Sequence, residues 1–449
     1  MLKPEFVNRM KEMLKEEYPA FEKALLGEKS QGLRVNPLKG DVESFLEKAP
    51  WKLTPVPFEK TGFYYEEADA PGKHPYHDAG VYYIQEPSAM APAMYLNVKK
   101  GDVVLDLCAA PGGKTTQIAG AMGNEGLLIS NEIHPQRAKI LSENVERMGV
   151  QNCLVMNETP QHLSQVFVEY FDKIVVDAPC SGEGMIRKNK EAMEQWSEEN
   201  VMLCANRQDE ILECAATMLK PGGRLVYSTC TFAQQEDEGS VQRFLEHHKE
   251  FHLTDVPLYE GMCRGMDKEQ KTVRLFPHKF KGEGHFVAVL EKDEGEALQL
   301  CKTKTQESLK EKELTTYRSF EKEVFAVEKE GTFIKYKDEL YVAPKEIPGL
   351  KGLKVLRPGL HLGTFVKNRF VPNHALALAS KKEDLLEGAS VELSSDSKEL
   401  KGYLHGETFL ADCSGGWKVI MSDDYSLGWG KVTGNTVKNH YPKGLRKMY

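Results

Sequence analysis

The sequence predicts an α/β protein organised around a doubly wound, mainly parallel sheet. Between residues 81 and 292, short apolar runs alternate with amphipathic segments, which is the pattern of buried strands and covering helices. A chain of 449 residues is too long for one ordinary core, so we expect further domains on either side. A small α+β domain is predicted before the sheet, and a β-rich region punctuated by glycines is predicted after it.

The predicted elements follow that order along the chain. Amphipathic helices are expected at 6–14 and 21–26, ahead of a stretch rich in glycine, proline and histidine. A Pro-Gly-Gly sequence at 221–223 ends a long helix of the sheet region. The remaining elements are strands at 103–107, 126–131, 153–156, 173–176, 224–228 and 285–290, helices at 136–148 and 201–219, and strand-like pieces at 332–336, 340–343, 418–421 and 426–432.

Composition narrows the class of protein. No window approaches the ~20 uninterrupted apolar residues of a membrane-spanning helix, and the N-terminus lacks the apolar core of a secretory signal. The nine cysteines form no C-x-x-C pair, which argues against a disulfide framework and against a zinc site. We therefore expect a reduced, cytoplasmic protein without a membrane or metal partner. The net charge of −8 excludes attraction of nucleic acid by the protein as a whole, so any such contact must use local basic patches, for which 271–281 and 431–449 are the candidates.

A glycine-bearing loop follows the first strand of the predicted sheet. Asp106 ends the strand, Gly112 and Gly113 let the backbone approach a ligand closely, and a helix begins nearby with free N–H groups. Glu132 closes the next strand 26 residues after Asp106, where a carboxylate can accept both hydroxyls of a ribose. The loop matches neither the G-x-G-x-x-G fingerprint nor the phosphate-binding P-loop. This series predicts a nucleotide-like ligand.

Two cysteines follow two further strands of the predicted sheet. Cys180 lies in Asp-Ala-Pro-Cys after the strand at 173–176, and Cys230 lies in Ser-Thr-Cys at the end of the strand at 224–228. Because the carboxyl ends of parallel strands border the ligand crevice, we expect both thiols in the crevice that holds the glycine loop. Two thiols there suggest a cysteine-dependent methyl transfer onto a pyrimidine base. The alternative is a pair of buried structural cysteines, which are common in cores.

Several separated motifs occur together and in order. They lie at 34–36 (RVN), 85–88 (QEPS), 106–115 (DLCAAPGGKT), 177–182 (DAPCSG), 228–231 (STCT) and 282–286 (GEGHF). On these motifs the chain resembles the Nop/Sun family of S-adenosylmethionine-dependent RNA cytosine-5 methyltransferases. The resemblance spans roughly residues 32–292 and implies a Rossmann-like class I methyltransferase sheet.

The C-terminal part narrows the resemblance. The segments 359–363 (GLHLG), 372–377 (PNHALA) and 441–446 (YPKGLR) resemble the extension of bacterial RsmF-type (YebU-like) enzymes, which modify 16S ribosomal RNA. That extension ends in a PUA-like β-domain associated with RNA binding. The implied domains are an N-terminal RNA-binding-like domain at 1–75, a methyltransferase domain at 76–292, a charged linker at 293–323, an intermediate C-terminal domain at 324–390 and a PUA-like RNA-binding domain at 391–449.

The same resemblance assigns a cofactor site for S-adenosylmethionine. Glu132 would hold the ribose, with Arg137 close by on the following helix. Asn157, where many family members carry an acidic residue, would bond the adenine amino group through its carbonyl oxygen. Asp177 would lie beside both the cofactor and the target base. The loop residues that would wrap the methionine and ribose are Cys108, Ala109, Ala110, Pro111, Gly112, Gly113 and Lys114.

The implied chemistry needs a thiolate, because carbon 5 of cytosine is not nucleophilic enough to take a methyl group directly. A thiolate added at carbon 6 activates carbon 5, and Asp177 at N3 would stabilise the adduct. Lys114 and the sulfonium charge of the cofactor would assist ionisation of the thiol. Chemistry alone would nominate Cys180, since DNA cytosine methyltransferases use a Pro-Cys thiol. The family resemblance instead assigns Cys230 as the nucleophile and Cys180 as the base that helps release the product.

The implied function is methylation of carbon 5 of cytosine in 16S ribosomal RNA, with the small-subunit decoding region as the expected location. Two alternatives remain open: a transfer RNA methyltransferase with the same core, and a catalytically inactive RNA-binding factor in ribosome assembly. The expected partner is ribosomal RNA or the small ribosomal subunit, and the protein is expected to act as a monomer.

Overall fold

The N-terminal region combines short helices with a small antiparallel sheet. The computed structural model of the chain describes residues 2–187, 193–194, 196–296 and 304–447. The N-terminal elements are α1 (Pro4–Leu14), α2 (Tyr18–Leu25), β1 (Gly32–Val35), α3 (Val42–Lys48), β2 (Thr54–Val56), β3 (Glu59–Tyr64), α4 (Pro75–Asp78) and β4 (Tyr82–Ile84). The strands lie in the order β2-β3-β1-β4. Amphipathic α1 and α2 correspond to the helices predicted at 6–14 and 21–26.

A large sheet flanked by helices forms the centre of the molecule. Its elements are α5 (Ala91–Leu96), β5 (Val103–Asp106), α6 (Gly113–Met122), β6 (Leu127–Asn131), α7 (Pro135–Arg147), β7 (Cys153–Met156), α8 (Pro160–Val166), β8 (Phe171–Asp177), α9 (Glu198–Met218), β9 (Leu219–Thr229), α10 (Glu238–His247), β10 (Phe251–Leu253), β11 (Met262–Arg264), β12 (Val273–Leu275) and β13 (His285–Lys292). The strands predicted for this region correspond to β5, β6, β7, β8, β9 and β13, with shifted ends. The α/β prediction is confirmed.

The direction of strand addition reverses at β5. From β5 the sheet grows in parallel through β6 and β7 on one side, and through β8 and β9 on the other. The antiparallel β13 then extends it beyond β9. In open α/β sheets, ligands bind at such a switch point, outside the carboxyl ends of the strands. The topology therefore directs attention to the loops after Asp106 and Asp177.

Both faces of the central sheet are buried, because successive side chains of a strand point to opposite faces. On one face Val104 and Val175 pack against α5, α6 and α7. On the other face Leu105 and Ile174 pack against α8, α9 and α10. Burial on both faces explains why these strands are nearly continuous apolar runs in the sequence.

Two further sheets form the C-terminal part. Its elements are α11 (Glu311–Val324), β14 (Thr332–Tyr336), β15 (Glu339–Ala343), β16 (Val355–Pro358), β17 (Leu360–Val366), β18 (Arg369–Pro372), α12 (His374–Leu378), β19 (Ser390–Leu393), α13 (Lys398–His405), β20 (Phe409–Leu410), β21 (Gly416–Ser422), β22 (Tyr425–Thr433) and β23 (Thr436–Asn439). The sheets have the orders β14-β15-β17-β18 and β19-β21-β22-β23-β20. The last sheet shares an apolar cluster with the N-terminal region, where Phe45 and Tyr82 join Tyr403 and Leu427.

One C-terminal strand belongs to the central sheet. β16 pairs antiparallel with β7, so that Val355 lies opposite Met156 and Pro358 lies opposite Leu154. The pattern of the sequence did not predict this strand, because four residues that end in proline carry no alternating signal. The predicted intermediate domain therefore contributes an edge to the methyltransferase-like sheet.

The segment 293–323 differs from the charged linker or exposed helix predicted for it. α11 begins at Glu311 and buries Leu314, Tyr317 and Phe320 in the C-terminal core. These apolar residues follow helical spacing among many charged ones, so the helix is amphipathic and packed. Residues 297–303 of the prediction lie outside the described part of the chain. Within the described residues, no helix has the length and apolar character needed to cross a bilayer.

Candidate active site

Two adjoining cavities open at the carboxyl ends of the central strands. The larger has a volume of about 680 Å³, and Glu132 and Ile211 are on its wall. The smaller has a volume of about 250 Å³ and is bordered by Tyr83 and His285. The residues that line both cavities are Cys108, Ala110, Asp177, Met185 and Cys230.

The loop after β5 forms part of both cavity walls. Asp106 is fully buried, and its Oδ2 accepts a hydrogen bond from Thr115 Oγ1 at 2.6 Å. Burial raises the pKa of Asp106 to about 7. Gly112 has a φ of +115°, a conformation that favours glycine, and a Cβ there would lie 3.2 Å from Leu141. Gly113 then begins α6, so the first N–H groups of this helix lie beside the smaller cavity.

Lys114 and Asp177 form a partly buried ion pair between α6 and β8. Lys114 Nζ lies 2.6 Å from Asp177 Oδ2. Burial would raise the pKa of Asp177, but the Lys114 ammonium and the neighbouring His285 ring hold it well below its usual value. Burial would likewise lower the pKa of Lys114, and the Asp177 carboxylate more than offsets this and raises it. Asp177 is therefore a carboxylate, and Lys114 an ammonium, at neutral pH.

Two residues that the sequence did not single out complete the surroundings of Asp177. Ser228 Oγ donates a hydrogen bond to Asp177 Oδ1 at 2.8 Å, and His285 Nε2 lies 3.3 Å from the same oxygen. Ser228 belongs to the STCT motif and His285 to the GEGHF motif. The motifs themselves were the signal that could have identified both residues.

The two predicted thiols are in contact. Cys180 Sγ and Cys230 Sγ lie 3.4 Å apart, after β8 and β9 respectively. The hydrogen bond with Cys230, together with burial, raises the pKa of Cys180 well above its usual value. Cys230 borders both cavities, whereas Cys180 borders the larger one. Burial also raises the pKa of the neighbouring Cys108 thiol.

Glu132 and Arg137 stand on the wall of the larger cavity. Glu132 Oε1 accepts a hydrogen bond from His134 N at 2.9 Å, and its Oε2 lies 3.3 Å from Arg137 Nη1. Arg137 Nη2 also donates to Ala110 O at 2.7 Å. The carboxylate at the end of β6 is thus tied to the loop after β5, as the sequence predicts for two parts of one site.

Asn157 stands behind this wall. Its Nδ2 donates to Glu132 O at 2.7 Å and to Ile133 O at 2.9 Å. The residues that line the larger cavity include Ile133 but do not include Asn157. Because its Nδ2 is engaged with main-chain carbonyls, Asn157 supports the segment after β6. These bonds do not involve its side-chain carbonyl oxygen, and the adenine contact through that oxygen stays a prediction.

Arg34 supports the start of α6 from the N-terminal region. Its Nε donates to Gln85 Oε1 at 2.9 Å, and its Nη2 donates to Thr116 Oγ1 at 2.7 Å and to Gly113 O at 3.2 Å. Arg34 is fully buried, and burial lowers its pKa to about 10. The RVN and QEPS motifs therefore meet behind the glycine loop.

Profiles of known families match almost the whole chain. They are described as the N-terminal domain of 16S rRNA methyltransferase RsmF (residues 2–87), 16S rRNA methyltransferase RsmB/F (93–291), the RsmF rRNA methyltransferase first C-terminal domain (319–379) and the methyltransferase RsmF PUA domain (390–447). The matched ranges include the N-terminal sheet, the central sheet and the C-terminal sheets described above.

Curated relatives match over nearly their full length. The ribosomal RNA small subunit methyltransferase F of Vibrio vulnificus (strain YJ016) is 32% identical over 437 residues, covering 92% of this chain and 91% of the relative. The protein of the same name from Shewanella oneidensis is 31% identical over 477 residues, covering 99% and 97%.

Solved structures agree on the fold. A methyltransferase homolog protein from Pyrococcus horikoshii is 29% identical and has a TM-score of 0.56, covering 65% of this chain and all of that one. NSun6 from the same organism, solved with SFG, has a TM-score of 0.57 at 24% identity, covering 65% and 99%. The N-terminal α+β region, the Rossmann-like methyltransferase core and the PUA-like C-terminal sheet are thus those of a known architecture, and the chain belongs to the RsmF family of small-subunit ribosomal RNA methyltransferases.

Proposed function

We propose that this methyltransferase transfers a methyl group from S-adenosylmethionine to carbon 5 of a cytosine in 16S ribosomal RNA. The observation that carries the proposal is that Cys230 and Asp177 line both cavities. A thiol and a carboxylate at that junction can act on a base in one cavity while the methyl donor occupies the other. The relatives are named for small-subunit ribosomal RNA, which supports the choice of substrate.

The larger cavity suits the methyl donor. Its volume of about 680 Å³ falls within the range of roughly 300–1,000 Å³ that is typical of small-molecule sites. Glu132 would accept the ribose hydroxyls. Cys108 and Ala110 of the loop after β5, which line this cavity, would contact the methionine part, and the rest of the loop would support them from the side of the smaller cavity. When bound, S-adenosylmethionine supplies an electrophilic methyl group on a positively charged sulfur.

The smaller cavity suits a single pyrimidine base. Its volume is about 250 Å³, and it is bordered by Asp177, Lys114 and Cys230. A base must leave its stack to enter such a cavity, as is usual for enzymes that modify bases. An ionised Asp177 carries no proton for N3 of cytosine, the atom expected from the family resemblance. It would instead accept a hydrogen bond from the adjacent 4-amino group, which uracil lacks. The carboxylate would thereby select cytosine and orient its ring.

The first chemical step is assigned to Cys230. Its thiolate would form a bond to carbon 6, which places electron density on carbon 5 for attack on the methyl group. Lys114 borders the same cavity as Cys230, so its ammonium would assist this step. Attack by Cys230 also ends its hydrogen bond to Cys180, which is the largest cause of the raised pKa of that second thiol.

The release step is assigned to Cys180. After methylation, carbon 5 carries both the new methyl group and its original proton. Cys180, once its own proton has passed to solvent, would take this proton as a thiolate; the carbon 5–carbon 6 double bond would then reform, and Cys230 would leave carbon 6 as a thiolate. The 3.4 Å separation of the two sulfur atoms supports this division of work, because both can reach one ring.

Three features complete the proposal: the target lies in the decoding region of the small subunit, the enzyme acts as a monomer, and it works in the cytoplasm. The PUA-like sheet would add contacts to the RNA outside the cavities. Transfer RNA with the same target base is the competing substrate.

The test is methyl transfer from labelled S-adenosylmethionine to naked 16S RNA, small subunits and transfer RNA in parallel, with the product base mapped. We expect 5-methylcytosine in 16S RNA or the small subunit. Cys230→Ala should abolish transfer, and Cys180→Ala should accumulate a covalent protein–RNA adduct. Full turnover by Cys230→Ala, or methylation at another atom or only in transfer RNA, would overturn the proposal.

A further inference from the structure

Two buried carboxylates cross-link the loops that carry the two thiols. We infer that Glu236 and Glu183 are positioning residues, Glu236 for Cys180 and Glu183 for Cys230. The inference rests on the proposed function, since it names the groups that hold the two thiols of that site in register. Each carboxylate follows one thiol in the chain and binds the segment that carries the other.

Glu236 binds Ser181 directly and is linked to Pro179 through Gln208, so it supports both residues that flank Cys180. Its carboxylate accepts hydrogen bonds from Ser181 N at 2.9 Å, from Ser181 Oγ, and from Gln208 Nε2 at 2.9 Å. Gln208 Nε2 also donates to Pro179 O at 3.1 Å. Glu236 is fully buried, so solvent cannot replace these bonds. The main chain on each side of the Cys180 thiol is therefore fixed through this one carboxylate.

Glu183 makes the converse link: it follows Cys180 in the chain and binds the segment after Cys230. Its Oε2 accepts a hydrogen bond from Phe232 N at 3.1 Å. Its Oε1 accepts from Trp196 Nε1 at 2.7 Å and from Arg9 of helix α1. The side chain of Glu183 has no exposed surface, so the carboxylate and its donors form a closed group. The N-terminal helix is thereby joined to the loop of the proposed nucleophile.

The next residue adds a main-chain link. Gly184 N donates to Cys230 O at 2.8 Å, and a Cβ on Gly184 would lie 2.9 Å from that oxygen. Such a contact is too short for any side chain, so glycine is required for the close approach. Glu183 and Gly184 together fix the main chain at Cys230 and at Phe232.

These hydrogen bonds join the loops after β8 and β9 beyond the point where the two strands stop pairing. The pairing of β8 with β9 ends at Asp177 and Ser228, before either thiol. Beyond that point the two loops are joined by the carboxylates, by the Gly184 link and by the contact between Ser181 Oγ and Thr231 Oγ1 at 2.8 Å. The sulfur separation of 3.4 Å thus depends on side chains that touch neither cofactor nor base.

The two positions predict opposite effects on the covalent adduct. Glu236→Gln leaves three donors facing an amide that is itself a donor, so Cys180 shifts and release of the product slows. We expect a fall in turnover of about 10- to 100-fold, the effect of a displacement near 1 Å, with adduct accumulating. Glu183→Gln shifts Cys230 instead, so turnover falls by a similar factor while adduct formation falls with it.

The experiment measures turnover and the adduct on denaturing gels with 16S RNA and S-adenosylmethionine, for the wild type, E236Q, E183Q and C180A. The matched control is Glu321→Gln in α11, another buried carboxylate with several donors, including Tyr317 Oη at 2.6 Å and Lys329 N at 2.7 Å. If E236Q and E183Q only destabilised the fold, they would behave like this control, and their ratio of adduct to product would equal that of the wild type.

Each outcome decides the inference. More adduct in E236Q and less adduct in E183Q than in the wild type would support the inference. If C180A traps RNA but both carboxylate variants have the same ratio of adduct to product as the Glu321 control, the inference is overturned. Absence of any adduct in C180A overturns the proposed function itself, whatever the carboxylate variants do. If E236Q does not fold, Ser181→Ala removes one donor and leaves the carboxylate, and the same shift in adduct, but smaller, is expected.

Discussion

Lys114 Nζ lies 2.6 Å from Asp177 Oδ2, at the edge of the cavity assigned to the target base. The pair keeps a carboxylate charged although burial opposes that charge. An ionised carboxylate accepts hydrogen bonds only, so under the proposed function it would favour the amino group of cytosine over the carbonyl oxygen of uracil.

The first prediction concerns this carboxylate. Asp177→Asn removes the charge that balances Lys114, and it replaces one acceptor oxygen by a donor. We expect kcat/KM for methyl transfer to fall about 10²- to 10³-fold, the size of effect seen when one preorganised group is lost from a transition state. The control is Asp102→Asn. The carboxylate of Asp102, just before β5, lies 3.1 Å from Lys173 Nζ and so also forms an ion pair with a lysine. Equal losses in the two variants would contradict a role for Asp177 in the reaction.

A second prediction uses the contact between the thiols. Sulfur atoms 3.4 Å apart need to move only to about 2.05 Å to form a disulfide. The oxidant diamide, which takes two electrons and two protons, should join Cys180 to Cys230 and stop methyl transfer, and dithiothreitol should restore it. Peptide mapping identifies the linked pair. A link from Cys108 to either thiol, with Cys180 and Cys230 never joined, would be incompatible with the geometry.

A third prediction concerns binding of the methyl donor. Glu132→Gln should weaken S-adenosylmethionine binding by about 10- to 100-fold, because hydrogen bonds to a charged group contribute about 1.5–3 kcal/mol. Calorimetric titration measures the Kd without RNA. Glu143→Gln, on the exposed face of α7, is the control. An unchanged Kd in the Glu132 variant would remove this residue from the cofactor site.

The fourth prediction is a dependence of stability on pH. Burial raises the pKa of Asp106 from 3.8 to about 7, so the folded protein holds a proton that the unfolded chain loses above pH 4. Stability from this proton is complete below pH 4 and is lost as the pH rises to 7, by up to about 4 kcal/mol. The lowered pKa of Asp177 has little effect above about pH 5, because that carboxyl, with an ordinary pKa of 3.8, is then ionised in both states.

The measurement is urea unfolding at several pH values between 5 and 8, for the wild type and Asp106→Asn. The difference in unfolding free energy between the two proteins should decrease as the pH rises, because only the wild type carries the titrating group. Parallel curves would show that Asp106 does not hold a proton in the folded state.

Sequence patterns were sufficient to locate the regular strands of the central sheet. Strands buried on both faces form apolar runs, so β5, β6 and β8 could be located from the sequence, and with them the loops that carry Asp106, Asp177 and Cys180. The family resemblance confirmed by the comparisons then identified the class of enzyme. The roles of individual site residues stay predictions.

What the sequence could not provide depends on contacts between distant segments. The amide of Asn157 turns toward main-chain carbonyls, which no local pattern encodes. His285 comes near Asp177 only because β13 pairs with β9. Likewise Glu183 and Glu236 look like ordinary charged residues in the sequence, and their burial follows from the packing of two loops and helix α1.

The pairing of β16 with β7 also constrains how the protein is made. β7 ends at Met156, and the strand that covers its edge begins about 200 residues later. At a synthesis rate of about 5–20 residues per second, the edge of the sheet stays uncovered on the translating ribosome for roughly 10–40 s. Exposed strand edges invite pairing with other chains. The C-terminal part therefore completes the central sheet late in synthesis, because β16 is the last strand of that sheet to be made.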